Sequence, residues 1–394
     1  MSALPVRTAD VVVVGAGVQG AATAFHLARR GARVLVVERS SPGAGATGTS
    51  SGFVRMHYDL ALEAELAWRS FPYFTDWAGR VGDGDCGFVR TGFVQLVPAA
   101  HAEALRANVA AQQALGIRTE AISPAEAAAI LPGMVVDDVV AAAWEPESGY
   151  ADPTGTAAGL LAAARRGGAA YSGGVRVTAI RTEGDCVTGV VTDRGTVDAP
   201  VVVDAAGAWA GDLARTAGLE VPIRPWRHDT GYFGLPVERP AAIPIVLDHI
   251  GSVYFRPEGR DLLLVGLETG NEIGGSPDRP IGPPDPAIVP LLAERVCERI
   301  PWMADGDFRT AHGGQDGMTP DQRPILGPAG PDGLFLQCGF SGTGFKTAPA
   351  IGEVMAEWIL DGRPRAVDVR RFTLERFARG QPIVGEHPYD ALWR

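Results

Sequence analysis

Four cysteines in 394 residues, Cys86, Cys186, Cys297 and Cys338, stand without a Cys-x-x-Cys pair, which excludes a zinc ribbon, a dithiol motif and a disulfide framework. Grouped basic residues are missing too. The 35 Lys and Arg side chains are dispersed among 46 acidic ones, a formal charge of −11. Nucleic acid is thereby excluded as a partner, since neutralising phosphates takes clustered cations. Long apolar runs are also lacking. Val11 to Val14 falls far short of the ~18 residues of a membrane span, and the glycines after it are no signal cleavage site. The expectation is a cytoplasmic protein without a metal site or transmembrane segment. No low-complexity linker occurs either, because the 51 glycines and 30 prolines are spread through periodic segments. What is present is ample core material, 46% hydrophobic residues, enough for two or three domains at ~100–200 residues each.

The chain opens as a βαβ unit. Ala9 to Val14 is a short β-branched run, Ala21 to Arg30 has helical composition, Gly31-Ala32 breaks the helix, and Arg33 to Val37 is a second apolar strand. The middle differs, with short stretches bounded by Gly and Pro at Phe88 to Val97, Tyr232 to Leu235, Ser252 to Arg256 and Leu262 to Leu267, as in an antiparallel sheet. An alanine-rich helix is expected from Asp152 to Arg166, strands at Val175 to Val177 and over Ala199 to Gly207, and a final strand Leu334 to Gln337 leading into a helix over Phe345 to Leu360. The first architecture thus brackets the second. The fold class read here is α/β (α+β overall), a Rossmann-like domain interleaved with an antiparallel-sheet domain.

Between the first strand and helix lies Gly15-Ala16-Gly17-Val18-Gln19-Gly20, with Glu38 ending the next strand about 20 residues on, the spacing of the dinucleotide fingerprint. Gly15 allows the tight turn, Gly17 lets amides approach a pyrophosphate, Gly20 lets helix meet strand, and Glu38 is placed for a ribose. Which dinucleotide binds stays open at this point.

Three further segments narrow it: Glu38-Arg39 followed by the small-residue run to Arg55, which includes Thr49-Ser50-Ser51; Ala205-Ala206-Gly207-Ala208-Trp209; and Gly339 to Lys346, reading Gly-Phe-Ser-Gly-Thr-Gly-Phe-Lys, preceded by Met318-Thr319-Pro320-Asp321. In this order, along the whole chain, they resemble the D-amino-acid-oxidase-like FAD oxidoreductases, the branch of sarcosine oxidase, glycine oxidase and dimethylglycine dehydrogenase. The resemblance implies FAD, cradled by backbone at Ala206, Gly207, Trp209, Gly342, Thr343, Gly344, Phe345 and Lys346, with Val177 near the adenine. It implies a discontinuous FAD-binding domain of residues 1–82, 146–222 and 308–394, and a substrate domain of 83–145 and 223–307. A flavin-linking cysteine of monomeric sarcosine oxidases matches Gly314 here, so noncovalent FAD is expected, His57 and His312 being the other conceivable attachment points.

On the substrate side the resemblance assigns Lys346 to the carboxylate, Arg55 to the flavin's neighbourhood and Tyr254 to the pocket wall, and His57 follows Arg55 closely enough to share that pocket. A second carboxylate-binding arginine of sarcosine oxidase is Tyr58 here, and its oxygen-activating lysine and a pocket histidine are Leu264 and Glu268. The implied reaction is oxidation of the C–N bond of an amino acid or N-alkyl amino acid to an imine by hydride transfer to flavin, by a dehydrogenase or slow oxidase, with oxygen or a redox partner as electron acceptor. A tailoring enzyme for a larger metabolite and the flavin subunit of an amine dehydrogenase complex remain alternatives, and no oligomeric state is implied.

Overall fold

Four consecutive valines, Val11–Val14, form the first strand because a β-branched run buried on both faces suits the centre of a parallel sheet. In the computed structural model, which describes residues 4–268 and 272–389, this strand pairs in parallel with Val34–Glu38 on one side and Val201–Asp204 on the other. Ala170–Gly173 and Leu334–Cys338 extend the sheet in parallel, and Ile325–Pro328 closes it antiparallel, six strands in all. The helix Val18–Arg29 packs against both Pro153–Arg166 and Gly344–Asp361. Small residues on its faces, Ala21, Ala22, Ala24 and Ala28, permit that close three-helix layer.

The second sheet has eight strands in the order Asp307–Met318, Arg224–Gly234, Leu262–Leu267, Val253–Glu258, Ile245–Asp248, Phe93–Leu96, Ala142–Glu145, Glu120–Ile122. Its pairs are antiparallel except Ile245–Asp248 with Phe93–Leu96, which run parallel because the chain reaches the second strand by a long crossover. The expected strand Phe88 to Val97 is two: Val89–Arg90 pairs with Gly149–Tyr150 in a small sheet, and Phe93–Leu96 joins the large one. Likewise Val175 and Arg176 lie in a connection, and Val177 starts a separate antiparallel meander, Val177–Glu183, Cys186–Thr192 and Gly195–Asp198. Gly173 and Gly174 end the sheet strand, after which the Val175 amide is held by the Glu38 carbonyl at 2.9 Å.

The longest pair, Arg224–Gly234 with Asp307–Met318, runs out of the large sheet to the C-terminal edge of the parallel one. It thereby brings Gln315 and Asp316 to the crevice where ligands of open α/β sheets bind. Behind that crevice Arg323, with no exposed surface, pairs with Asp59 at 2.7 Å and with Glu63 on the helix Ala61–Thr75. Arg376 pairs with Asp321 at 2.8 Å and draws the C-terminal segment in.

Removing one member of a buried ion cluster leaves its partners charged and dry, so Arg323→Ala should destabilise by about 3–5 kcal/mol. A fall in urea midpoint with unchanged m-value would show it; an unchanged midpoint would mean that water replaces the guanidinium.

Candidate cofactor and substrate site

The site is built first from backbone. Gly15 takes φ +103, and a β-carbon there would lie 2.5 Å from the Ala205 carbonyl oxygen, while one on Gly20 would fall on the Gly15 carbonyl. Only glycine lets the first helix sit this near the strand ends. The Ala16 amide donates to Glu38 Oε2 at 2.8 Å and the Val18 amide to Thr47 Oγ1 at 3.1 Å. Among the described residues the Gly17 and Gln19 amides meet no acceptor. They leave the positive end of the helix open to an anion.

These groups face a cleft of about 560 Å³, within the range of ligand pockets. Gly15, Gly17, Val18, Gln19, Glu38 and Arg39 line one side, Ser50 and Ser51 another, and Val177, Ala206, Gly207 and Trp209 the outer end. Gly342, Gly344 and Phe345 line the inner end beside Tyr254. Gly20 lies behind this wall, and so do Thr49, whose hydroxyl turns to the Ala46 carbonyl, and Thr343, whose hydroxyl caps the Phe340 carbonyl. Gln19 has a task that its position in the motif does not reveal: its amide donates to the Gly344 carbonyl at 2.7 Å and accepts from Gln337 at 2.8 Å. The starts of the first and last long helices are thus tied to each other.

Lys346 and Arg55 lie beyond the inner end, both buried. Lys346 is the single lysine of the chain. Its ammonium makes no hydrogen bond or ion pair to the described residues and stands 5.6 Å from the centre of the Tyr58 ring. The Arg55 guanidinium is 4.5 Å from the same ring and 5.5 Å from that of Phe93, and it donates to the His57 carbonyl. No carboxylate lies within salt-bridge reach of Arg55 among the described residues. Burial, and then the neighbouring Arg55, hold the Lys346 ammonium well below its usual range.

His57 is turned away from the cleft. Its Nε2 meets the Tyr389 hydroxyl at 2.7 Å, and burial holds it down to about 3, so it is a neutral hydrogen-bonding group rather than a base. Tyr254 meets Phe53 edge to face at 5.6 Å, and burial pushes its phenol up to about 12. Arg256 bonds the Ser51 carbonyl at 2.6 Å and steadies the loop that lines the cleft. His228 lines the cleft and is kept neutral by burial, down to about 4. His312 reaches the Thr49 carbonyl at 3.5 Å and lies against the Tyr232 ring. Leu264 lies among Phe53, Phe93 and Tyr150, and Glu268 pairs with His249 at 2.9 Å.

Sequence reasoning missed Asp316 and Asp278. Asp316 lines the cleft and accepts the Gly342 amide at 2.6 Å, and burial pushes its carboxyl up. Its place just before Met318-Thr319-Pro320 was the available signal. Asp278 lies on a segment with no motif at all.

A parallel sheet with a glycine turn under a helix N-terminus, and a second glycine-rich helix start facing it, defines a dinucleotide-binding oxidoreductase. The pattern of the family described as FAD dependent oxidoreductase (DAO) matches residues 10–358, and the chain belongs to that family. Mouse sarcosine dehydrogenase is 31% identical over 388 residues, 93% of this chain. The chain spans 41% of that protein's length. The L-proline dehydrogenase of P. horikoshii superposes with a TM-score of 0.87 at 27% identity, covering 96% of this chain and all of that one. Glycine oxidase of Geobacillus kaustophilus gives 0.82 at 26% identity, covering 94% and 99%. The residues present fit FAD. The cleft is long, walled by amides and small side chains, and its glycine turn leaves no room for a β-carbon at Gly15.

With one lysine, a chain labelled on the lysine ε-carbon gives one side-chain resonance. It should titrate well below the ordinary lysine range. Because the folded-state value is depressed, a protonated Lys346 opposes folding at neutral pH, and that penalty fades as pH rises towards the unfolded value. Lys346→Met should therefore raise the stability of the flavin-free protein at neutral pH, by ~1–4 kcal/mol. An unshifted resonance, or a less stable variant, would contradict the burial of an unpaired ammonium.

Proposed function

We propose that this chain oxidises the C–N bond of an amino acid or N-alkyl amino acid to an imine that water then hydrolyses. The observation that carries the reading is the pair of buried cations, Lys346 and Arg55, held against Tyr58 at the inner end of the cleft with no carboxylate among the described residues bonded to either. A substrate carboxylate supplies the missing anion, and charge-assisted hydrogen bonds fix its orientation. When bound, FAD supplies the hydride acceptor. Tyr254, neutral and buried, bounds the space beside it, and Leu264 with its aromatic neighbours keeps that region dry. The substrate must be bound as the neutral amine, which the nearby positive charges of Arg55 and Lys346 favour.

Noncovalent FAD is supported at Gly314, where a β-carbon would lie 2.6 Å from the Thr49 hydroxyl and against the His228 ring, leaving no space for a linking thiol. An apolar Leu264 offers no cation to assist oxygen reduction, which favours a dehydrogenase or slow oxidase passing electrons to oxygen sluggishly or to a redox partner. The four free thiols suit a reducing compartment such as the cytoplasm, and among the described residues no helix is long and apolar enough to cross a membrane.

The test is the visible flavin spectrum, recorded without oxygen while sarcosine, other N-methyl amino acids, proline and both enantiomers of common amino acids are added. One class should bleach it, and recolouring on admitting air should be slow. In Lys346→Met the KM for that substrate should rise ~10–100-fold, the loss of one charge-assisted contact, with a smaller change in kcat. A flavin that none of these bleaches, or a variant with unchanged KM, would remove the amino-acid reading and leave a larger amine without a carboxylate.

A further inference from the structure

The outer end of the cleft is closed by an ion cluster that no motif announces. Three side chains that line it, Arg39 after the second parallel strand, Arg176 in the connection to the meander and Trp209 in the Gly-Ala-Trp turn, all converge on one carboxylate. That carboxylate is Asp278. Its Oδ1 accepts Arg39 Nη1 at 3.0 Å and the Trp209 indole N–H at 2.8 Å, and its Oδ2 accepts Arg176 Nη2 at 2.9 Å. The Arg39 guanidinium in turn lies over the Trp209 ring, 3.7 Å from its centre. These partners are far apart in sequence.

Asp278 comes from the opposite half of the molecule. The segment 272–283 is stitched to the long strand Arg224–Gly234 through the Arg227 amide and the Glu272 carbonyl at 2.8 Å, and through Gly274 and the Pro225 carbonyl at 2.7 Å. Gln315 holds the Pro277 carbonyl at 3.1 Å, and Arg227 reaches the carbonyls of Gly282 and Pro283. The segment therefore crosses from the large sheet and meets the outer wall of the dinucleotide cleft through Asp278. The three bonds hold the carboxylate below its ordinary range, the indole bond most, so it stays ionised at neutral pH.

We propose that Asp278 is a positioning residue for the cofactor: it clamps Arg39, Arg176 and Trp209 into a single wall and so retains the adenosine end of a noncovalently held FAD. This rests on the FAD reading given above. An isolated exposed ion pair contributes little, but one carboxylate shared by three fixed donors saves each of them the ordering it would otherwise undergo when the ligand arrives. The effect belongs on release more than on capture, because the wall must open before the ligand leaves. Since the carboxylate is half exposed, salt should weaken the clamp.

The experiment uses the FAD-loaded full chain. Denaturation in acid first shows whether the flavin separates from the protein; flavin that stays attached overturns the noncovalent reading itself. With separable flavin, the rise of free-flavin fluorescence after dilution gives the release rate. Asp278→Ala should release FAD about tenfold faster, ~1.4 kcal/mol, and Asp278→Asn, which keeps an acceptor for the indole, should fall between. Added salt should speed release from the wild type and leave Asp278→Ala unchanged. Asp278→Ala combined with Arg176→Ala should be little faster than either alone, since both break one clamp. An unchanged release rate overturns the proposal. So does a drop in the melting temperature of the flavin-free protein that matches the drop with FAD bound, which would make Asp278 a support of the fold alone.

Discussion

Positive charge with no anion bonded to it among the described residues is the constraint around which the inner site is arranged. A buried cation is expensive unless paired, and Lys346 is also in the first turn of the helix Gly344–Asp361, whose dipole opposes a cation there. Two features make the arrangement tolerable. The π face of Tyr58 receives both Lys346 and Arg55, giving them quadrupolar attraction in place of water. Behind them Glu63, already committed to Arg323, lends Lys346 a negative potential without bonding it. On the function proposed above, an anionic substrate makes good the residual deficit, and part of the protein's instability is converted into affinity and orientation.

The same economy of groups shapes the cofactor end. Both glycine-rich helix starts face one cleft, and Gln19 spans between them by bonding the Gly344 carbonyl. A shift of either helix is therefore transmitted to the other, and the amides that await an anion keep their relative aim. The long strands Arg224–Gly234 and Asp307–Met318 do the corresponding work between halves, since they carry Trp226, His228, Gln315 and Asp316 from the large sheet to the cleft. Asp278 completes the closure from outside. The cleft is thus held at its inner end by a helix-to-helix bond and at its outer end by a shared carboxylate.

The parts of this arrangement that were legible in the sequence are those whose signal is local. A strand of four valines, a glycine turn and a helix follow one another within twenty residues, so Gly15, Gly17 and Glu38 could be placed by spacing alone. The large sheet was legible as short strands between Gly and Pro, but its one parallel pair was not, because register between Phe93–Leu96 and Ile245–Asp248 depends on contacts some 150 residues apart. His57 illustrates the limit. Two residues from Arg55 it reads as a pocket group, yet its partner is Tyr389 at the other end of the chain, and the fold turns its ring there. Asp278 had no signal, since a carboxylate in a Pro- and Gly-rich loop is ordinary until three donors from elsewhere meet it.

Tyr58 shows the converse, a departure from a family pattern that the fold explains. Read as a missing arginine, it removes one carboxylate contact. In the structure the ring that replaces it supports the two cations that remain, so the pocket trades a third fixed charge for a flat, polarisable surface. The choice of Lys at position 346 follows the same reasoning. Arginine supplies every other member of the Lys and Arg set of this protein, but a guanidinium cannot shed its proton and brings five donors, each demanding an acceptor when buried. An ammonium is compact, its proton affinity yields to burial, and its three donors can be met by one carboxylate and little else. On the proposed function the site is without a substrate anion between turnovers, and beside the permanently charged Arg55 a second cation that can give up its proton lowers the cost of that state.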